Sequence, residues 1–239
     1  IGMGRMGRMI RDCAADRGIE VAAEFNTATI AQLAQCDRMD AVIDFSAPAS
    51  LPALAAYVQR TGTPLVSGTT GYCDEEAARV NALGSYAPVA LSANFSIGVA
   101  VLKHLAAEAA ALLPDFDIEI IETHHRMKKD APSGTAKLLL SAVNPDGTHP
   151  TVFGREGFTP RTAGEIGVHA VRGGTVAGVH TVSFFGDEEE LSLTHRAESR
   201  RIFAIGALKT AEKLKDAPWV CTPLTNCFSL AAECCTSTF

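Results

Sequence analysis

The sequence predicts an α/β protein in which a Rossmann-like unit with a parallel sheet is followed by a second α+β unit carrying a mixed or antiparallel sheet. Three observations lead there. The chain opens on a glycine turn that feeds a helix; short apolar strands then alternate with helices; and the rhythm changes from residue 115, where a strand, a polar loop and a short helix lead into successive strands without helices between them.

Taken in order, residues 1–7 (IGMGRMG) form the turn, and Met6, Met9, Ile10, Cys13 and Ala14 recur at helical spacing until Gly18 ends the helix. IEVAAEF (19–25) reads as a buried strand and TATIAQLAQCD as a second helix. The alternation continues with DAVIDF and a helix around residues 50–62, TPLVSG and a helix around 74–86, then PVALS and a helix over 98–113. Such alternation packs helices on both faces of a parallel sheet. In the second region FDIEIIETHH is a strand, HRMKKDAPSG a polar loop and TAKLLLSAV a short helix; EIGVHAVRG, TVAGVHTVSFFG and EELSLTHRA are successive strands. RIFAIGALKTAEKL closes the pattern as an amphipathic helix.

Bulk properties narrow the function. With 239 residues and 47% hydrophobic content the chain can bury the core of one large or two modest domains. A net charge of -6 argues against a general nucleic-acid binder, which needs a surplus of Lys and Arg on one face. No apolar run approaches the roughly 18 residues of a membrane span, so a cytoplasmic protein is expected. The seven cysteines, at 13, 36, 73, 221, 227, 234 and 235, have neither metal-site spacing nor disulfide logic; they read as small apolar residues in a reducing compartment, and no metal is expected. The cysteine-rich stretch 221–239 differs in composition from all that precedes it.

Two segments carry chemistry. Gly2, Gly4 and Gly7 match GxGxxG, where glycine permits a tight turn, close approach of a pyrophosphate and close helix packing. Glu24, at the end of the next expected strand, either bonds the adenosine ribose hydroxyls or is a solvated strand-end charge. No Arg follows Glu24; Phe25 and Asn26 stand there, which favours NADH over NADPH unless Arg5 or Arg8 holds the 2′-phosphate. The strand expected before the glycine turn is nearly absent, so residues preceding Ile1 are expected in a longer chain. The second segment is THHRMKKDAPSGTA (123–136), which gathers two His, one Arg and two Lys and ends on Pro132, Ser133, Gly134 and Thr135 ahead of an apolar helix. It is either a solvated basic loop or a site for a small, doubly anionic substrate held by cations, hydroxyls and helix-start N–H groups. The two adjacent histidines point to opposite faces of an extended segment, against joint metal ligation.

Together with DFS (44–46), GTTG (68–71) and ANFSIGV (93–99), GMGRMG and EIIETHHRMKKDAPSGTA (119–136) resemble the dihydrodipicolinate (4-hydroxy-tetrahydrodipicolinate) reductase family of lysine and diaminopimelate biosynthesis. The similarity runs through most of residues 2–210. It implies NAD(P)H-dependent reduction of a cyclic dicarboxylate, with His124 and Lys128 catalytic and His125, Ser133, Gly134, Thr135 and Arg200 binding substrate. Cofactor contacts are implied at Gly2, Met3, Gly4, Arg5, Met6 and Gly7, at Phe45, at Gly68, Thr69 and Thr70, and at Ser92, Ala93, Asn94 and Phe95, beside Glu24. The resemblance also implies a dinucleotide domain from residues 1–95 completed by 201–220, a substrate domain over 96–200, and a homotetramer built on the second sheet's exposed face, to which the run VHTVSFF would contribute. Two rivals remain: another two-domain nicotinamide oxidoreductase, or a dinucleotide-binding paralogue without turnover.

Overall fold

The structure, a computed structural model, describes residues 1–217, so the expected tail 221–239 and the last residues of the expected 201–220 segment lie outside the described residues. The chain divides into two compact units, Ile1–Ile97 with the segment from Arg201, and Gly98–Arg200.

The first unit holds a parallel sheet of three short strands in the order β1 (Val42–Asp44), β2 (Leu65–Ser67) and β3 (Val89–Leu91), with Val42 opposite Leu65 and Leu65 opposite Val89. Helices α2 (Leu51–Thr61) and α3 (Asp74–Ala82) make the crossovers. One face packs on Leu51, Leu54 and Val58 of α2 and Val80 of α3; Ile43 faces the other way, toward Cys13 and Ala14 of α1 (Arg5–Asp16) and Ala204 and Leu208 of α6 (Arg201–Leu214). Covering both faces explains why the strands are continuous apolar runs rather than alternating ones.

Two expectations fail here. Residues 19–25 form no strand, and residues 20–24 are exposed. A strand needs a neighbour, and between this segment and β1 lie only Ile1 and Gly2: Gly2 N–H donates to the Phe25 carbonyl (2.8 Å), Phe45 N–H to the Ile1 carbonyl (3.0 Å), and the Ile1 ammonium to Ile43 O (2.6 Å). Alongside runs a cavity of about 660 Å³ lined by residues that include Ile10, Val21 and Val42. The expected helix at 27–37 is a 3-10 helix, Ile30–Gln35, because the Asn26 side chain accepts from the N–H groups of Ala28 and Thr29 and winds the segment tightly.

The second unit is a mixed sheet in the order β5 (Thr151–Phe153), β6 (Ile166–Arg172), β4 (Asp117–His124), β7 (Gly178–Gly186) and β8 (Glu189–Ala197). β4 is central, parallel to β6 and antiparallel to β7. The three-residue β5, outside the expected strands, pairs parallel with β6. Period-two alternation sends Ile118, Ile120, Glu122 and His124 to the face covered by α4 (Ile97–Leu112) and α5 (Gly134–Val143). α5 begins where Ser133 Oγ accepts the Ala136 N–H (3.1 Å), and it buries Ala136, Leu139 and Val143 on one stripe. The opposite face leaves Ile121, Val171 and Phe185 exposed.

Leu139 (0% exposed) and Leu112 (78% exposed) are the same side chain in two helices. Leu139→Ala is expected to lower unfolding free energy by about 3 kcal/mol and Leu112→Ala by less than about 0.5 kcal/mol, read from urea midpoints.

Candidate active site

In the first unit the sequence motifs converge at the carboxyl ends of the three parallel strands, the position at which open α/β sheets bind ligands. Phe45 follows β1, residues 68–70 follow β2 and residues 92–95 follow β3. Gly2, at φ +92°, passes against the backbone of Phe45; a Cβ on Gly7 would lie 1.9 Å from the Gly2 carbonyl oxygen, so only glycine lets α1 pack onto the turn. Gly4 faces open space and caps α1 without a side chain; Met3 lies in the turn, and Arg5 and Met6 open α1. Uncapped N–H groups over a glycine with nothing in front of it fit a dinucleotide's pyrophosphate.

Asp44, which opens the DFS string but has no expected role of its own, ties these loops together. Its buried carboxylate accepts from Ser46 Oγ (2.5 Å) and Thr69 Oγ1 (2.7 Å), and Thr69 Oγ1 in turn accepts the Ser46 N–H (2.9 Å). The Phe45 ring lies against Gly68 and 5.7 Å from the buried ring of Phe95. Ser92 Oγ bonds both the N–H and the carbonyl of Asn94, which turns the segment containing Ala93. Thr70 is exposed. Glu24 is exposed, with Arg11 Nε 4.0 Å from its carboxylate. Phe25 is in the core, and the Asn26 carboxamide is engaged in its own turn.

In the second unit His124 ends β4, and its Nδ1 meets the carboxylate of Glu122, two residues back on the same strand face. Glu122 is fully buried; it accepts two bonds from Arg172 (2.7 and 2.9 Å) and one from the Ser133 N–H (3.1 Å). Burial alone would raise its pKa, but the bonds from Arg172 and His124 outweigh that and hold it below the usual carboxylate range. Burial draws His124 below the ordinary histidine value, against the pull of Glu122 and helped by the charges of Lys128 and Arg172. Lys128 clasps Asp130 through both carboxylate oxygens (2.8 and 2.9 Å). His180, opposite Glu122 on β7, packs edge-on to His124 with ring centroids 5.0 Å apart and pairs through Nε2 with Ser133 Oγ (3.1 Å).

Of the expected substrate residues, Gly134 and Thr135 open α5, while the Ser133 hydroxyl is buried between the helix start and His180. His125 lies one residue beyond the strand and is half-buried. Arg200 stands on an exposed turn after β8 and is not a partner in this network. Glu122 had a signal in the sequence, since strand periodicity puts it beside His124. Arg172 and His180 did not, because they arrive through sheet pairing from about 50 residues away.

A parallel sheet gathering a glycine turn and three loops at its carboxyl ends, in one chain with a carboxylate-backed histidine among cations, is the build of a nicotinamide-dependent oxidoreductase. Comparison with known proteins narrows the class. Residues 1–95 match the family description "Dihydrodipicolinate reductase, N-terminus" and residues 98–225 match "Dihydrodipicolinate reductase, C-terminus". The chain belongs to the dihydrodipicolinate reductase family. It is 40% identical over 239 residues to the 4-hydroxy-tetrahydrodipicolinate reductase of an Exiguobacterium species, covering 97% of this chain and 95% of that one. The protein of that name from Methanocorpusculum labreanum is 46% identical over 173 residues, 72% of this chain and 68% of its own. Among solved structures, a dipicolinate-bound dihydrodipicolinate reductase from Paenisporosarcina shares the fold with a TM-score of 0.73 at 22% identity, over 94% of this chain and 96% of that one.

The buried ring of His180 has its pKa lowered to about 4, first by burial and then by the neighbouring charge of His124. Between pH 6.5 and 4 the unfolded chain therefore binds the proton that the folded ring refuses, so stability rises with pH in that window and is lost as pH falls through it. This group is expected to remove about 2 kcal/mol of stability between pH 7 and pH 5. In His180→Gln that share of the pH dependence should vanish from urea unfolding at the two pH values.

Proposed function

We propose that the chain reduces 4-hydroxy-tetrahydrodipicolinate to tetrahydrodipicolinate in lysine and diaminopimelate biosynthesis, with NADH preferred over NADPH, in the cytoplasm and as a homotetramer. The observation that carries the reading is the Glu122-backed His124, within the electrostatic reach of Lys128, at the end of β4, from which the cationic loop runs to the start of α5. Its membership of the reductase family supports the same conclusion.

The nicotinamide, when bound, supplies hydride. The residues at hand manage charge and protons. Lys128 on the loop, and Arg172, which shares Glu122 with the Ser133 N–H at the start of α5, favour a small dicarboxylate in an otherwise acidic chain. As the substrate ring gains negative charge, Lys128 stabilises it and protonated His124 delivers a proton from Nε2, the nitrogen not bonded to Glu122. His125, Gly134 and Thr135 would hold the carboxylates, with Ser133 fixing the loop and Arg200 a further cation. Gly2, Gly4 and Gly7 with Met3, Arg5 and Met6 would take the pyrophosphate, Glu24 the ribose hydroxyls, and Phe45, residues 68–70 and residues 92–95 the rest of the cofactor. The preference for NADH rests on Glu24, with Phe25 buried and Asn26 engaged where a phosphate-binding Arg would stand.

Support for the tetramer comes from the open sheet face. Of the run VHTVSFF, Val182 and Phe184 are fully buried inside the unit. Phe185 of the same run is exposed and joins Ile121 and Val171, on three neighbouring strands, to make the apolar surface. Among the described residues no helix is long and apolar enough to cross a membrane.

The direct test follows NADH absorbance with freshly generated 4-hydroxy-tetrahydrodipicolinate. His124→Ala and Lys128→Ala are each expected to lower kcat by about a hundredfold; full activity in both would overturn the assigned roles. Catalytic efficiency should be higher with NADH than with NADPH, and equal values would reject the preference. The double variant Ile121→Lys, Val171→Lys should elute from size exclusion as a smaller species while keeping its circular dichroism.

A further inference from the structure

We infer that Glu122 is a positioning residue for His124: it fixes the imidazole's proton on Nδ1, leaves Nε2 as the nitrogen that exchanges protons, and sustains the cationic form inside a buried site. The inference rests on the assignment of His124 as proton donor made above and says how a histidine so placed can perform it.

The geometry leaves little freedom. Glu122 is fully buried, and two Arg172 nitrogens and the Ser133 N–H already supply donors to it. A carboxylate in that setting is ionised and can only accept. The Nδ1 of His124 that meets it must therefore carry hydrogen, in the neutral ring and in the cation alike. Nε2 is the remaining nitrogen, and it faces Gly178: a Cβ there would lie 3.1 Å from it, so the missing side chain keeps space beside the working atom. When the Nε2–H bond breaks, its proton passes to the substrate carbanion, its electron pair stays on Nε2, and the ring remains neutral with Nδ1–H held by Glu122.

The surrounding charges show why a carboxylate is needed. Lys128 from the loop and Arg172 from β6 disfavour a cation on His124, as does burial. His180 from β7 is neutral and gives no compensating charge, and Ser133 from the start of α5 is uncharged. Glu122 is the anion in direct contact with the ring. With Gln in its place a carbonyl oxygen still meets Nδ1–H, but the negative charge is gone. A neighbouring glutamate two residues back on the same strand thus does what a remote acid does in other carboxylate–imidazole pairs.

The test compares wild type, Glu122→Gln, Glu122→Asp, His124→Ala and the Glu122→Gln, His124→Ala double variant by pH–rate profiles of NADH oxidation, with circular dichroism as a check on folding. In Glu122→Gln the alkaline fall in kcat should move down by about one pH unit, with kcat at pH 8 lowered about tenfold and KM within about twofold of wild type. Glu122→Asp should restore part of the shift. Added to His124→Ala, Glu122→Gln should cost nothing further, because the two act through one ring. An unshifted profile in a folded Glu122→Gln, or full multiplication of the two losses, would overturn the positioning role while leaving the function intact. Full activity in His124→Ala would instead remove the assignment beneath it. Should Glu122→Gln not fold, the ring-nitrogen shifts of ¹⁵N-histidine-labelled wild type decide. A neutral His124 protonated at Nδ1 is expected, and one protonated at Nε2 would sink the inference.

Discussion

The second unit is organised around one buried carboxylate. Glu122 is withdrawn from water in the middle of a five-stranded sheet, where an unpaired charge is costly and a paired one is tolerated only with its lone pairs met. Arg172 comes from β6, His124 from β4 itself and the Ser133 N–H from the start of α5. Each partner is consequently pinned. Arg172 also donates to the Asp130 carbonyl (2.8 Å), and the Arg126 N–H reaches the Gly174 carbonyl, so the cationic loop is laid against the turn that follows β6. What reads in sequence as a polar loop is held at both ends by the sheet. The pair is better understood as specifying geometry than as adding stability, since its desolvation cost offsets much of its attraction.

The first unit repeats the device in a milder form. Asp44, at the end of β1, is as fully buried as Glu122 and is met by hydroxyls of Ser46, Ser67, Thr69 and Tyr72 instead of cations. Ser67 ends β2 and the other partners sit on the loops after β1 and β2, so those loops approach the glycine turn as one piece. Burial of the Tyr72 phenol, followed by the nearby Asp44 charge, raises its pKa and keeps it a donor. In both units, then, a buried acid at or near the carboxyl end of a strand converts loop residues into a fixed surface. Sites that must hold a ligand in one orientation depend on this kind of backing.

Much of this was legible beforehand. Strand and helix alternation located β1 to β3 and their crossovers because a doubly covered parallel sheet needs apolar runs of that length, and α6 was marked by its stripe of Ile202, Phe203, Ile205 and Leu208. The misjudged elements have separate causes. IEVAAEF has the composition of a strand but little backbone beside it to pair with, and the segment after Asn26 is overruled by that side chain's local bonds. β5 is only three residues long, too short for any period to register.

By itself the sequence determined the fold class, the glycine turn, the cationic string from His124 to Thr135 and, through them, the family resemblance that the comparisons bear out. These are local properties, written in spacing, turn chemistry and charge along a few neighbouring residues. Tertiary structure decided which groups stand behind that string. Arg172 and His180 reach Glu122 only because β6 and β7 flank β4 in a particular register, and a shift of one residue would send their side chains to the other face. The proton's place on His124 follows from that register, which no single stretch of the chain contains.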